Sequence, residues 1–132
     1  MTKIIHVSGT RKTATARATL SPGRGVIRFN GHLASLLHHP ISREKILEPI
    51  QLAGEAAHRV DIDLNVHGGG FNSQSEASRV AISRALVAFD KKLEKRFLEY
   101  DRHLLVPDVR LKETHKPNRH GKARAKVQKS YR

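Results

Sequence analysis

Between Thr13 and Leu20 polar and apolar residues alternate without a break. Ala14, Ala16, Ala18 and Leu20 point one way; Thr13, Thr15, Arg17 and Thr19 point the other. A period of two is that of a strand with one buried face. Ser21-Pro22-Gly23-Arg24-Gly25 then supplies turn chemistry, with proline fixing φ and glycine permitting positive φ. Val26 to Asn30 reads as the return strand, Ile27 and Phe29 inward and Arg28 outward. The expectation is a hairpin that ends at Asn30-Gly31. Ile4, Ile5 and Val7 predict a short strand before it. Val60 to His67 is the cleanest alternation in the chain, with four apolar residues on one face.

The remaining periodicity is helical. Leu33, Leu36 and Leu37 suggest a short helix that stops before His39-Pro40. A second stretch starts near Ile41, and Pro49 is expected to divide it from a third piece ending near Gly54 or Arg59. After Gly68-Gly69-Gly70 a helix should run from about Ser73 or Ser75 to Phe89. On a 100° wheel Glu76, Arg79, Ser83 and Asp90 share one side, and Ala77, Ala81, Ile82, Ala85, Leu86, Ala88 and Phe89 cover most of the rest. So wide an apolar arc predicts a largely buried central helix. A shorter charged helix follows, roughly Lys91 to Tyr100. Strands with helices packed on one face make an α+β domain.

Charge changes the picture from fold to partner. Residues 1–28 hold six Lys/Arg and no acid, whereas residues 29–109 hold ten against eleven acids. From Arg110 to Arg132 there are nine Lys/Arg and one acid, Glu113, within a chain of net charge +13. That last segment has no helical or strand spacing of apolar residues and cannot offset its own ordering entropy. The expected division is a globular part, 1–109, and a basic extended tail, 110–132. Fully extended, the tail would reach roughly 75 Å. Positive charge sorted to the two ends marks a surface for a polyanion, most often nucleic acid. Arg17 and Arg28 fit this, because two arginines on the solvent face of one hairpin repel unless an anion lies there.

Other chemistry is thin. With no cysteine, disulfides and thiolate metal sites are excluded. The opening residues are not a signal peptide, and Ala85 to Phe89, the longest apolar run, is too short to span a bilayer. The glycine run lies between a strand and a helix, but lacks the Gly-Lys-Ser/Thr ending of a P-loop and the spaced glycines of a dinucleotide site. It remains open to two other uses, close packing of the helix and backbone contact with RNA phosphates. Nine histidines are present without the His-Glu-x-x-His spacing, and polar-surface or RNA-facing roles suit them better than a metal. Asp61 and Asp63 share a strand face, as exposed acids commonly do. Nothing points to catalysis. Lys122, Arg124 and Lys126 alternate with Ala123 and Ala125, a pattern suited to an extended chain along a phosphate backbone, and Pro117 and Gly121 oppose a helix there.

Several stretches carry a resemblance. Ser8-Gly9-Thr10-Arg11-Lys12-Thr13-Ala14-Thr15-Ala16-Arg17-Ala18 resembles the opening motif of the small-subunit ribosomal protein S-nine family. Val66-His67-Gly68-Gly69-Gly70-Phe71 and Arg79 to Leu86 resemble its centre. Tyr100-Asp101-Arg102, Lys116-Pro117-Asn118-Arg119 and Gln128 to Arg132 resemble its archaeal and eukaryotic branch. The resemblance implies a ribosomal S5 domain 2-like α+β fold, no enzymatic activity and no cofactor. It implies residence in the cytoplasm in the head of the small subunit, beside rRNA and neighbouring head proteins, with the tail reaching P-site tRNA. No membrane and no small-molecule substrate is expected. Charge and resemblance together name Arg11, Lys12, Arg17, Arg28, Gly68, Gly69, Gly70, Arg102, Lys112, Lys116, Arg119, Lys122, Arg124 and Lys126 as rRNA-binding. They name Lys129, Tyr131 and Arg132 as lying nearest the tRNA. The alternatives left by residues alone are a free-standing DNA-binding or nucleoid protein and a nucleotide-dependent enzyme.

Overall fold

The computed structural model describes residues 3–125 and 130–131. Strands β1 (Ile5–Arg11), β2 (Ala14–Pro22), β3 (Ile27–Phe29), β4 (His32–Leu33) and β5 (Val60–His67) form one five-stranded mixed sheet in the order β1-β2-β5-β3-β4. Helices α1 (Pro40–Ala53), α2 (Phe71–Phe89) and α3 (Lys92–Tyr100) form the second layer, joined by short 3₁₀ turns at Ala34–Leu36, Gly54–Arg59 and Arg102–Leu104. The alternation decides which face is covered. Ala14, Ala16, Ala18 and Leu20 of β2 are buried with Val60, Ile62, Leu64 and Val66 of β5, beneath Ala77, Ala81, Ile82, Ala85 and Leu86 of α2. Phe97 of α3 and Ile46 of α1 complete this core.

Small residues set the spacing between the layers. Gly9 is buried in β1, and a Cβ there would stand 2.4 Å from the Ala77 carbonyl oxygen and 2.7 Å from the Ala81 nitrogen. The helix backbone therefore rests almost directly on the strand. Buried polar groups on α2 are satisfied within the helix: the hydroxyls of Ser78 and Ser83 donate to the carbonyls of Gln74 and Arg79, each at 2.7 Å. Ser83 thus sits in the core and not on the polar side of the helix where its wheel position placed it.

The hairpin is not the expected one. β2 pairs with β1, and the turn between them is Lys12-Thr13, with Lys12 at φ 53°. On its other side β2 pairs antiparallel with β5, and β3 lies beyond β5, parallel to it. The Ser21–Gly25 turn chemistry does not bring β3 back beside β2. The Asp61 carboxylate accepts hydrogen bonds from the backbone N–H groups of Arg24 and Val26 at 2.8 and 2.9 Å, and so steers the chain across β5. Those two donors, Val26 foremost, hold the Asp61 carboxyl below its ordinary pKa.

Two helical expectations also change. Pro49 lies inside α1 and does not divide it. Its ring is buried in the core, and the loss of one backbone donor is outweighed by that packing. The leucines after Asn30 make strand β4 and a 3₁₀ turn, not an α-helix. The long helix begins at Phe71, directly after the glycines.

Candidate nucleic-acid interface

On the uncovered side of the sheet the outward residues come into register. Ser8 of β1 is opposite Arg17 of β2, which is opposite Asn65 of β5. One step along β5, Asp63 lies between Thr19 of β2 and Arg28 of β3. His6, Ser8, Arg17, Thr19, Asp63 and Asn65 line a shallow hollow of about 500 Å³ on this face. Arg17 and Arg28 thus do share a solvent face, but β5 runs between them and they stand two strand spacings apart, roughly 10 Å. Arg28 has a partner, the Asp63 carboxylate at 3.5 Å. Among the described residues Arg17 has none.

Lys12 projects from the β1–β2 turn at one end of this face, and the glycine run lies against that turn. A Cβ on Gly68 would stand 2.5 Å from the Thr13 carbonyl oxygen, and Gly68 and Gly69 take φ values of 78° and 63°. Both therefore have reasons inside the protein: a left-handed backbone and close packing on β2. Gly70 has neither. Its φ is −105°, nothing lies within 4 Å of its Cβ direction, and it stands at the uncapped start of α2.

Arg11 lies elsewhere. It follows Ile5, Val7 and Gly9 on the helix side of β1. Its Nε donates to Glu76 at 2.7 Å, and its Nη2 is 3.6 Å from Asp108. Its side chain is 16% exposed. Lys45 of α1 joins Glu76 at 3.1 Å. A second network runs beside the first: Arg79 donates to Glu48 at 2.5 Å and to Asp101 at 3.0 Å. Burial pulls the carboxyls of Glu76 and Asp101 upward, but their hydrogen bonds outweigh it and both end below their ordinary pKa. For Glu76 the donors are Lys45 and Arg11; for Asp101 they are the His103 N–H and Arg79. Asp108 is held far down, chiefly by Arg110. Arg11 ties α2 and the root of the tail to the sheet, and Lys45 and Arg79 tie the helices to one another. The signal was in the sequence, because the inward period of β1 continues through Gly9 to Arg11.

Arg102, Lys112, Lys116, Arg119, Lys122 and Arg124 are exposed, and Tyr131 is exposed near the end. Lys126, Lys129 and Arg132 lie outside the described residues. The tail from Leu111 to Ala125 contains no helix or strand, yet it is not a plain extended run. Lys116 donates its N–H to the Lys122 carbonyl at 2.8 Å, and Asn118 takes φ 59°. Pro117 and Gly121, which oppose a helix, here build a turn. Among the described residues no three metal-ligating side chains converge, and no helix is long and apolar enough to cross a membrane.

A mixed sheet covered on one side, bare and polar on the other, with a cationic tail rooted in an internal ion-pair network, defines a small basic α+β protein. The chain belongs to the ribosomal protein S9/S16 family, whose model matches residues 9–132. It is 47% identical to the small ribosomal subunit protein uS9 of Methanococcus maripaludis strain C7, over 98% of this chain and 99% of that one. It is 50% identical to the uS9 of Thermoplasma volcanium, over 97% and 98% of the two chains. With the uS9 of Methanococcus vannielii the identity is 45%, over 98% and 99%.

Proposed function

We propose that this protein is a structural, non-catalytic constituent of the small ribosomal subunit in the cytoplasm. Near end-to-end identity with archaeal proteins of that name carries the reading. In this reading the domain, residues 1–109, has the S5 domain 2-like fold and docks on rRNA in the subunit head. Arg17, Lys12, Gly70 and Arg28 contact the RNA from the open face and its corner. Arg17 offers a planar fork of donors that no acid engages among the described residues, and Gly70 lets a phosphate approach the backbone N–H groups at the start of α2. The tail, residues 110–132, follows the RNA outward, and Lys129, Tyr131 and Arg132 approach P-site tRNA. Phosphate contacts of this kind position a protein and do not specify sequence.

The test is sedimentation of tagged protein from cell extract on sucrose gradients at low and high salt. Co-migration with the small subunit is expected, with release at high salt. Chain lacking Lys129–Arg132 should still assemble but weaken P-site tRNA binding. A full-length chain that stays at the top of the low-salt gradient and binds duplex DNA instead would overturn the assignment. Lost assembly with unchanged tRNA affinity would make the tail end an rRNA anchor.

A further inference from the structure

The tail's single acid occupies a particular place. Glu113 is the sole Asp or Glu between Arg110 and Arg132. Its carboxylate is gripped by Arg124: Nε donates to both oxygens at 3.1 and 3.0 Å, and Nη2 donates to one of them. Inside that pair, the Lys116–Lys122 backbone bond of 2.8 Å closes the chain a second time. Both closures enclose one bend, in which Asn118 takes φ 59° directly after Pro117. The enclosed residues Lys116, Arg119 and Lys122 are exposed and cationic, flanked by His115 and His120, with no acid among them. A carboxylate presents a guanidinium with the same two-oxygen fork that a phosphodiester does. Arg124 holds Glu113 below its ordinary pKa, so the carboxylate is ionised at neutral pH.

We propose that Glu113 is an internal stand-in for phosphate, a latch that keeps residues 113–124 looped in the free protein and yields Arg124 to an RNA phosphodiester when the tail binds. This rests on the RNA-binding reading above. The pair is solvent-exposed, and exposed pairs are weak, so a polyanion displaces the carboxylate readily. Once released, Glu113 leaves Arg124 free to join the run of cations on the RNA. The loop thus keeps cations of the tail gathered before binding.

A double-mutant cycle on the full-length chain tests this, with Glu113→Gln, Arg124→Ala and both together, binding a transcript of small-subunit rRNA across a salt series. Glu113→Gln should tighten binding roughly two- to fivefold at low salt. It should leave the salt slope nearly unchanged, because Arg124 reaches a phosphate in both complexes. With Arg124→Ala in place, Glu113→Gln should no longer tighten binding. Equal effects in both backgrounds would mean that Glu113 acts only through net charge, and would overturn the latch while leaving RNA binding intact. In the free protein the Lys116 amide should exchange faster in Glu113→Gln than in wild type; equal exchange overturns the latch as well. Absence of rRNA binding by every variant would instead remove the RNA-binding reading itself.

Discussion

The two faces of the sheet use arginine for opposite purposes. Arg11 and Arg17 sit on neighbouring strands, joined by one tight turn. Arg11 points toward the helices, meets Glu76 and Asp108, and is largely covered. Arg17 points outward among Ser8, Asn65 and Thr19 and is exposed. Composition cannot tell these residues apart. Only the parity of their positions within alternating strands does, and it sorts one into the scaffold and the other onto the surface. Net charge therefore overstates the binding surface of a basic protein wherever cations serve as internal struts.

The contrast is sharpest at Gly9 and Ser8, adjacent residues with opposite facing. Gly9→Val would drive side-chain atoms into the Ala77 and Ala81 backbone. A stability loss on the order of 3 kcal/mol is expected by denaturant titration. Ser8→Val, on the open face, should stay within about 0.5 kcal/mol. Comparable losses from the two would show that the open face is also packed.

Arg11→Ala comes next. It leaves Glu76 and Asp108 without a strut, and a loss of about 2 kcal/mol is expected, between the effects seen for exposed and buried pairs. Acid should reveal the same network. Glu76 and Asp108 have ordinary pKa values of 4.5 and 3.8 and lie below them when folded. Their contribution is therefore complete above about pH 4.5 and is lost as pH falls through the folded values. Thermal melts from about pH 6 down to 2 should fall more steeply for wild type than for Arg11→Ala. Parallel curves would show that Arg11 does not act through these carboxylates.

Smallest in stability, and opposite in character, is Arg17→Ala. It should melt within about 0.5 kcal/mol of wild type and lower the rRNA salt slope by about 0.7 to 0.9. Arg28→Ala should lower the slope less, because Asp63 already shares its charge. A larger slope change at Arg28 than at Arg17 would reverse the ranking of the two sites.

What was legible in the sequence follows the range of the interactions involved. β5 matched its expected span because Val60, Ile62, Leu64 and Val66 alternate with residues of opposite polarity. The buried character of α2 was legible from its alanines. Strand partners were not, because β5 enters between β2 and β3 from more than thirty residues away in sequence, a pairing that no local pattern announces. The true hairpin turn escaped notice because Lys12-Thr13 carries none of the usual glycine or asparagine signal. Pro49 misled because its cost is local and its burial is not. At the site, alternation puts Arg17 and Arg28 on one solvent face, and the structure does so across β5 and not across a hairpin, while Arg11, named with them, lies on the helix side. The glycine run divides by position: Gly68 and Gly69 serve the fold, and Gly70 stands open.

The central position of β5 also bears on how the chain is made. The residues that pair β1 with β2 and β3 with β4 all precede Arg59 in the chain, and the strand that lies between the two pairs comes after it. Val60 to His67 closes that position, and α2 follows at once to cover the apolar face. Synthesis from the N-terminus therefore supplies every strand of the sheet before Asp108 arrives to meet Arg11, and before the cationic tail appears. The order of residues in the chain thus places the tail's cations after the whole of the sheet and its covering helices.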